Sequence, residues 1–210
     1  MSVYTAPDFT RSALITIDTQ NDFTLQGAPV SIPGTIDVIP NMVKLLDHYR
    51  GAGRPIIHVV RLYLEDGSNV ELCRRQAVEN GQEMVLAGSD GAELVRELKP
   101  DANVRLDAGS LLSGEFQQLG DVEFVMYKPR WGAFYQTRLE EFLSGHGIDT
   151  LVFCGCNFPN CPRTSMYEAS ERDFRLVVVT DAISQLYDRG RREMENIGAN
   201  LFETGDIMHT

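Results

Sequence analysis

The chain has 210 residues, 43% of them hydrophobic, which is ample for the core of one α/β domain, and it carries a net charge of −11 with a pI near 4.8. That acidity argues against a nucleic-acid or anionic-membrane surface, since both need basic patches, and no apolar run reaches membrane-spanning length. Four cysteines, three of them crowded between positions 154 and 161, do not resemble a secreted disulfide framework, and Met1–Arg11 lacks the regions of a signal peptide. A reducing cytoplasm is the expected compartment.

In chain order, Ser12–Ile17 is a β-rich run ending in the polar cluster Asp18-Thr19-Gln20-Asn21-Asp22, as a buried strand does when its C-terminal end opens on a site. Residues 26–33, with Gly27, Pro29 and Pro33, read as loop. From Thr35 to Arg50, Val38, Ile39, Met42, Val43, Leu45, Leu46 and Tyr49 follow helical spacing, and Gly51-Ala52-Gly53 supplies the stop. Pro55–Leu62 is the second strand. Residues 65–112 hold a short helix at Gly91–Leu98 and otherwise read as a surface excursion, covering either the site or a subunit interface. Regular alternation resumes with strands at Val122–Tyr127, Thr150–Phe153 and Phe174–Val179, and with helices at Thr137–Ser144, Pro162–Arg172 and Gly190–Leu201. Strands separated by helices predict one domain over residues 1–210, a three-layer α/β/α fold with a mostly parallel central sheet and right-handed crossovers.

In such sheets ligands meet the C-terminal ends of the strands, a rule that gathers Asp18, Lys128 and Cys161. Pro162 suits the first position of a helix, which sets Cys161 at the N-cap, facing orphan N–H groups and the positive end of the dipole. Both favour thiolate over thiol and mark Cys161 as the nucleophile. His48, His58, His146 and His209 are all poorly placed to pair with it, so a carboxylate is the expected base. Asp18 directly follows its strand and is preferred to Asp22. Lys128 adds positive charge beside the pair, and N–H groups of the loop before the helix, with that of Cys161, form the oxyanion hole.

Three segments in register carry a resemblance: Ile17-Asp18-Thr19-Gln20-Asn21-Asp22-Phe23, Lys128-Pro129-Arg130-Trp131-Gly132-Ala133-Phe134, and Gly155–Cys161 with the helix beyond it and Val179-Thr180-Asp181-Ala182. The sequence resembles the isochorismatase-like cysteine hydrolases, which include nicotinamidases, N-carbamoylsarcosine amidases and ureidoacrylate amidases. The resemblance implies a triad of Asp18 as proton acceptor, Lys128 as electrostatic support and Cys161 as nucleophile, with a thioester intermediate released by water. It also implies a cis peptide between Cys156 and Asn157 that aims the N–H groups of Asn157 and Cys161 at the substrate oxygen. Homodimers or homotetramers are expected by the same token.

Departures narrow the expectation. Phe158-Pro159-Asn160 replaces the Thr and Asp common in that loop, which alters the pocket wall. Arg61-Leu62-Tyr63 stands near the Asp-x-His metal motif of the nicotinamidase branch, so neither metal nor other cofactor is expected and nicotinamide is an unlikely substrate. A retained cysteine favours C–N hydrolysis of a small amide or ureido compound. The alternatives are hydrolysis of an isochorismate-like vinyl ether with Cys161 dispensable, a non-catalytic binding protein on the same fold, and a thiol redox pair of Cys156 and Cys161. Phe23 and Trp131 are candidate pocket walls. Arg163 either anchors a substrate carboxylate or forms a helix-face ion pair. Cys154 and Cys156 read as packing, and Asp181 as a cap for the loop after its strand.

Overall fold

Ser12-Ala13-Leu14-Ile15-Thr16-Ile17 is buried at every position, the pattern of a strand covered by helices on both faces, and it forms β1 (Ser12–Ile17) near the middle of the sheet. The computed structural model describes residues 2–210; Met1, the first residue of the N-terminal segment and of the single-domain assignment, lies outside them. After β1 come α1 (Asn21–Thr24), α2 (Thr35–Ala52), β2 (Ile56–Val60), α3 (Leu72–Glu79), α4 (Ala108–Leu112), β3 (Gln117–Gly120) and β4 (Glu123–Tyr127). They are followed by α5 (Leu139–Gly145), β5 (Thr150–Gly155), α6 (Cys161–Ser170), β6 (Arg175–Ile183), α7 (Asp188–Asn196), β7 (Asn200–Phe202) and α8 (Thr204–Ile207). The strand order is β3-β4-β2-β1-β5-β6-β7, and every neighbouring pair is parallel except β3 with β4.

The period-two alternation of each strand divides its side chains between two helical layers. Ala13, Ile15 and Ile17 pack with Leu151, Phe153, Leu143 of α5, Met166 and Ala169 of α6, and Met194 of α7. Leu14, Val152, Cys154 and Val177 face the other layer, with Leu45, Leu46 and Tyr49 of α2 and Ile207 of α8. This is the expected three-layer architecture. Among the described residues no helix is long and apolar enough to cross a membrane.

Several elements differ from expectation. The Gly91–Leu98 helix is absent; two short 3-10 turns stand there, Asp90–Ala92 and Arg96–Leu98. Gly91 touches the Asp22 carboxylate too closely to accept a Cβ. The helix expected over Gly190–Leu201 is α7 and stops at Asn196, because the chain must return to the sheet edge as β7. β6 runs on to Ile183, so Asp181 lies inside it rather than in a loop, accepting from Thr204 N and from Asn41 Nδ2 and thereby tying α8 and α2 to the sheet. The excursion at 65–112 is a third piece of core rather than mere surface. Val70, Val85, Leu94 and Leu111 are fully buried there with Phe23, Leu62, Tyr63 and Cys156, over the C-terminal ends of the strands.

Candidate active site

Backbone hydrogen bonds continue the ladder one step past the strand ends and set the site residues in a row. Asp18 N donates to Val59 O at 2.9 Å, Lys128 N to Val60 O at 3.0 Å and Cys156 N to Ile17 O at 2.8 Å. The last contact depends on Gly155, which has a φ of +113° and whose added Cβ would collide with the Ile17 backbone. Asp18 itself sits at φ +50°, a left-handed conformation that costs a non-glycine residue on the order of 1 kcal/mol and is retained where the surrounding fold dictates it.

Lys128 Nζ donates to Asp18 Oδ2 at 2.9 Å, with the Arg130 carbonyl at 3.4 Å. Both side chains are buried, and Asp18 Oδ1 has no hydrogen-bond partner among the described residues. The thiol of Cys161 lies beside them with 4% of the residue exposed. Ser165 fixes the turn that carries Cys161: its Oγ donates to Cys161 O at 2.7 Å and accepts from Ala133 N at 3.0 Å, joining α6 to the loop after β4.

Two expectations about the thiol are corrected. Cys161 is the first residue of α6 and Asn160 is the N-cap, so the cysteine stands one position deeper in the helix than expected. Its pKa is raised, not lowered: burial is the largest cause and the nearby Asp18 carboxylate adds to it, outweighing the opposing charges of Lys128 and Arg61. Both causes favour the neutral thiol over the thiolate. The Cys156–Asn157 bond is trans, as are all peptide bonds among the described residues; Gly155 at positive φ and Asn160 at φ −115°, ψ −106° turn the loop instead.

A residue not assigned to the site from sequence completes it. Arg61 follows β2, which lies between β4 and β1 in the sheet, so its side chain falls between Lys128 and Asp18. It is fully buried, with Nη2 donating to Arg130 O at 2.7 Å and standing 3.8 Å from Cys161 Sγ. Nη1 pairs with Glu71, which also accepts from Tyr63 Oη. Gln20 locks the Arg61 backbone: its Oε1 accepts from Arg61 N at 2.8 Å and its Nε2 donates to Arg61 O at 2.7 Å. The signal was available in the strand order, because a parallel β2 beside β1 must end at the site.

Phe23 and Trp131 stand near Arg61 and Arg74. The Trp131 ring lies between two guanidinium groups, Arg61 at 5.6 Å and Arg74 of α3 at 4.9 Å from its centroid, and Arg74 is also 5.7 Å from the Phe23 ring. Arg163 does not join them. It pairs with Glu193 at 2.6 Å and with Tyr187 Oη at 2.7 Å in the seam between α6 and α7, which is the helix-face alternative. Phe158 is buried against Gly190 and Tyr187 rather than lining the pocket. All four cysteines are free thiols, and burial pushes Cys156 up to about 12.

Comparison with known proteins matches an isochorismatase domain over residues 12–107 and 107–204. The chain belongs to the isochorismatase family. It is 31% identical over 193 residues to a probable inactive nicotinamidase of Arabidopsis thaliana, with 89% of each chain covered. It is 26% identical over 206 residues to a maleamate amidohydrolase of Pseudomonas putida, covering 94% of this chain and 83% of that one. A solved isochorismatase family protein from Desulfovibrio vulgaris is 31% identical with a TM-score of 0.80, covering 95% of this chain and 99% of that one. In this isochorismatase-family chain the segments that carried the resemblance meet at one place: Asp18, Lys128 and Cys161. The metal of the nicotinamidase branch finds no donor set there. Asp18 is engaged by Lys128 and Glu71 by Arg61, and among the described residues no group of three or more His, Cys, Asp or Glu is placed to hold an ion.

Proposed function

We propose that this protein is a hydrolase of C–N bonds in small amide or ureido compounds, working through a covalent thioester on Cys161. The observation that carries the proposal is the free, buried Asp18 Oδ1 beside a neutral thiol, with the other carboxylate oxygen held by Lys128. An unsatisfied buried acceptor is costly, and here it is poised for a proton.

On this reading Asp18 takes the Cys161 proton as Sγ attacks the substrate carbonyl carbon. Lys128 and Arg61 offset the negative charge that develops. The N–H group of Cys161, an orphan donor at the start of α6, receives the oxyanion. The C–N bond breaks as protonated Asp18 returns the proton to the leaving nitrogen. Water, deprotonated by Asp18, then attacks the thioester; the C–S bond breaks, acid product leaves, and the proton goes back to sulfur.

The test is ammonia release from a panel of small amides, carbamoyl and ureido compounds, with intact-mass detection of an acyl adduct. Wild type is expected to release ammonia from at least one compound, and Cys161→Ala to slow that release by about 10³-fold or more. Unchanged release in the variant overturns the nucleophile assignment.

A further inference from the structure

Glu71 reaches the site on a segment that has little freedom. Asn69 ties that segment to the exit of β2: its Nδ2 donates to Leu62 O at 2.9 Å and to Tyr127 Oη at 3.1 Å, and its Oδ1 accepts from Leu64 N at 2.9 Å. Val70 is fully buried in the core over the strand ends. Glu71 then opens α3, its carbonyl accepting from Arg74 N at 2.9 Å and Arg75 N at 3.0 Å. The next side chain, Leu72, is 82% exposed, whereas Glu71 is 4% exposed and turned inward. A carboxylate with so little water needs partners, and it has Arg61 Nη1 and Tyr63 Oη.

The Arg61 fork is thereby divided. Nη1 faces Glu71 and the Pro129 carbonyl, while Nη2 faces the Arg130 carbonyl and stands 3.8 Å from Cys161 Sγ. One guanidinium, its backbone locked by Gln20, thus lies between a carboxylate and the thiol. The other charged groups that act on the sulfur come from three further elements: Asp18 after β1, Lys128 after β4 and Arg74 of α3. Cys156, just after β5, also faces it, as a second buried thiol. Asp18 and Lys128 pair with each other at 2.9 Å, and Arg74 donates to Tyr63 Oη at 3.0 Å. Arg61 is therefore the cation beside the sulfur whose counter-charge comes from the excursion. In a buried site a charge at this distance is felt strongly, and a carboxylate on its far side cancels much of it.

We propose that Glu71 is a positioning residue of the Cys161 site, holding Arg61 beside the sulfur and balancing its charge, so that the thiol keeps its proton until Asp18 takes it. Without the carboxylate, the same guanidinium would draw the thiol toward thiolate. Without the guanidinium, a lone buried carboxyl would itself be neutral and leave the sulfur unaffected. The balance makes a nucleophile that ionises when its base acts and stays quiet toward stray electrophiles, since the thiolate is the reactive form. The proposal rests on Cys161 as the nucleophile.

The test follows alkylation of Cys161 by iodoacetamide against pH, by peptide mass, in a Cys73→Ser background that removes the exposed thiol. The midpoint of that profile reads the ionisation of the thiol. Glu71→Gln keeps an acceptor for Arg61 and removes the charge. It is expected to move the midpoint down by about one pH unit, a roughly tenfold gain in labelling rate below the midpoint. Glu71→Asp keeps the charge, and with it the folded state, but draws the carboxylate back by one methylene; it is expected to move the midpoint part of the way. Arg61→Gln is expected to move the midpoint up, and Glu71→Gln added to it to change nothing further. A midpoint unmoved or raised in both Glu71 variants overturns the proposal, as does a Glu71→Gln shift that persists without Arg61. In either case a labelled Cys161 leaves the nucleophile assignment standing. Absence of labelling at every pH overturns that assignment and this proposal together.

Discussion

Two buried charged clusters sit in the same sheet, and they differ in whether their polar atoms are satisfied. In the first, Glu123 at the start of β4 accepts from Arg50 Nε and Nη2, both at 2.8 Å, and its Oε1 lies 2.8 Å from His58 Nε2. His58 Nδ1 in turn lies 2.8 Å from Thr16 Oγ1, so every member of that network is bonded. In the second, at the other end of the strands, Asp18 Oδ1 and Arg61 Nε have no partner among the described residues, Asp18 is in a left-handed conformation, and the thiol pKa is driven up. A closed network rigidifies a core; open valences and stored strain cost stability and have reason to persist where a substrate completes them.

The largest expected effect is on rate. Asp18→Asn is expected to lower kcat for ammonia release by about 10³-fold or more while moving the unfolding free energy by no more than about 1 kcal/mol. Asparagine adopts the left-handed conformation readily and still accepts from Lys128. Urea unfolding beside steady-state kinetics checks both halves; a stability loss without a rate loss would make the site as structural as the Glu123 network.

Glu123→Ala is the converse. It leaves Arg50 and His58 without their shared acceptor and is expected to cost about 3–5 kcal/mol of stability, with little change in activity per folded molecule. Acid should reach this network as well. Burial pushes the Glu123 carboxyl up, but hydrogen bonds from Arg50 and His58 outweigh it and hold the pKa at about 2, below its usual 4.5. A carboxyl depressed on folding contributes its full stabilisation above the unfolded value, here roughly 3 kcal/mol, and loses it as pH falls from 4.5 toward 2. Urea midpoints measured down that range should drop in wild type and flatten in Glu123→Gln.

The smallest effect is predicted for Arg163→Ala: less than about 1 kcal/mol in unfolding free energy and no change in KM, as befits a partly exposed ion pair. A tenfold rise in KM would return Arg163 to the substrate.

The sheet, its parallel sense and the meeting of Asp18, Lys128 and Cys161 at the strand ends were legible because Ser12–Ile17, Val122–Tyr127 and Thr150–Phe153 are apolar runs that end abruptly in polar residues. β3 and β7 were not, being short edge strands with little hydrophobic signal. Arg61 and Arg74 were hidden for different reasons. The first needed the strand order, and the second lies on a polar helix in the excursion, where no periodicity says which face turns inward. The state of the thiol was misjudged because helix position is local and readable, whereas burial is a sum over the whole fold.

Ser165, which joins the first turn of α6 to the loop after β4, has a consequence for how the molecule comes together. Lys128 and Asp18 are 110 residues apart along the chain and Arg61 and Cys161 are 100, so each contact of the site closes a loop of about half the polypeptide. Such contacts form slowly, and a chain that stops before Lys128 can make neither. The site therefore closes only once β4, β2, β1 and β5 lie side by side, and a half-assembled sheet does not hold its charges together.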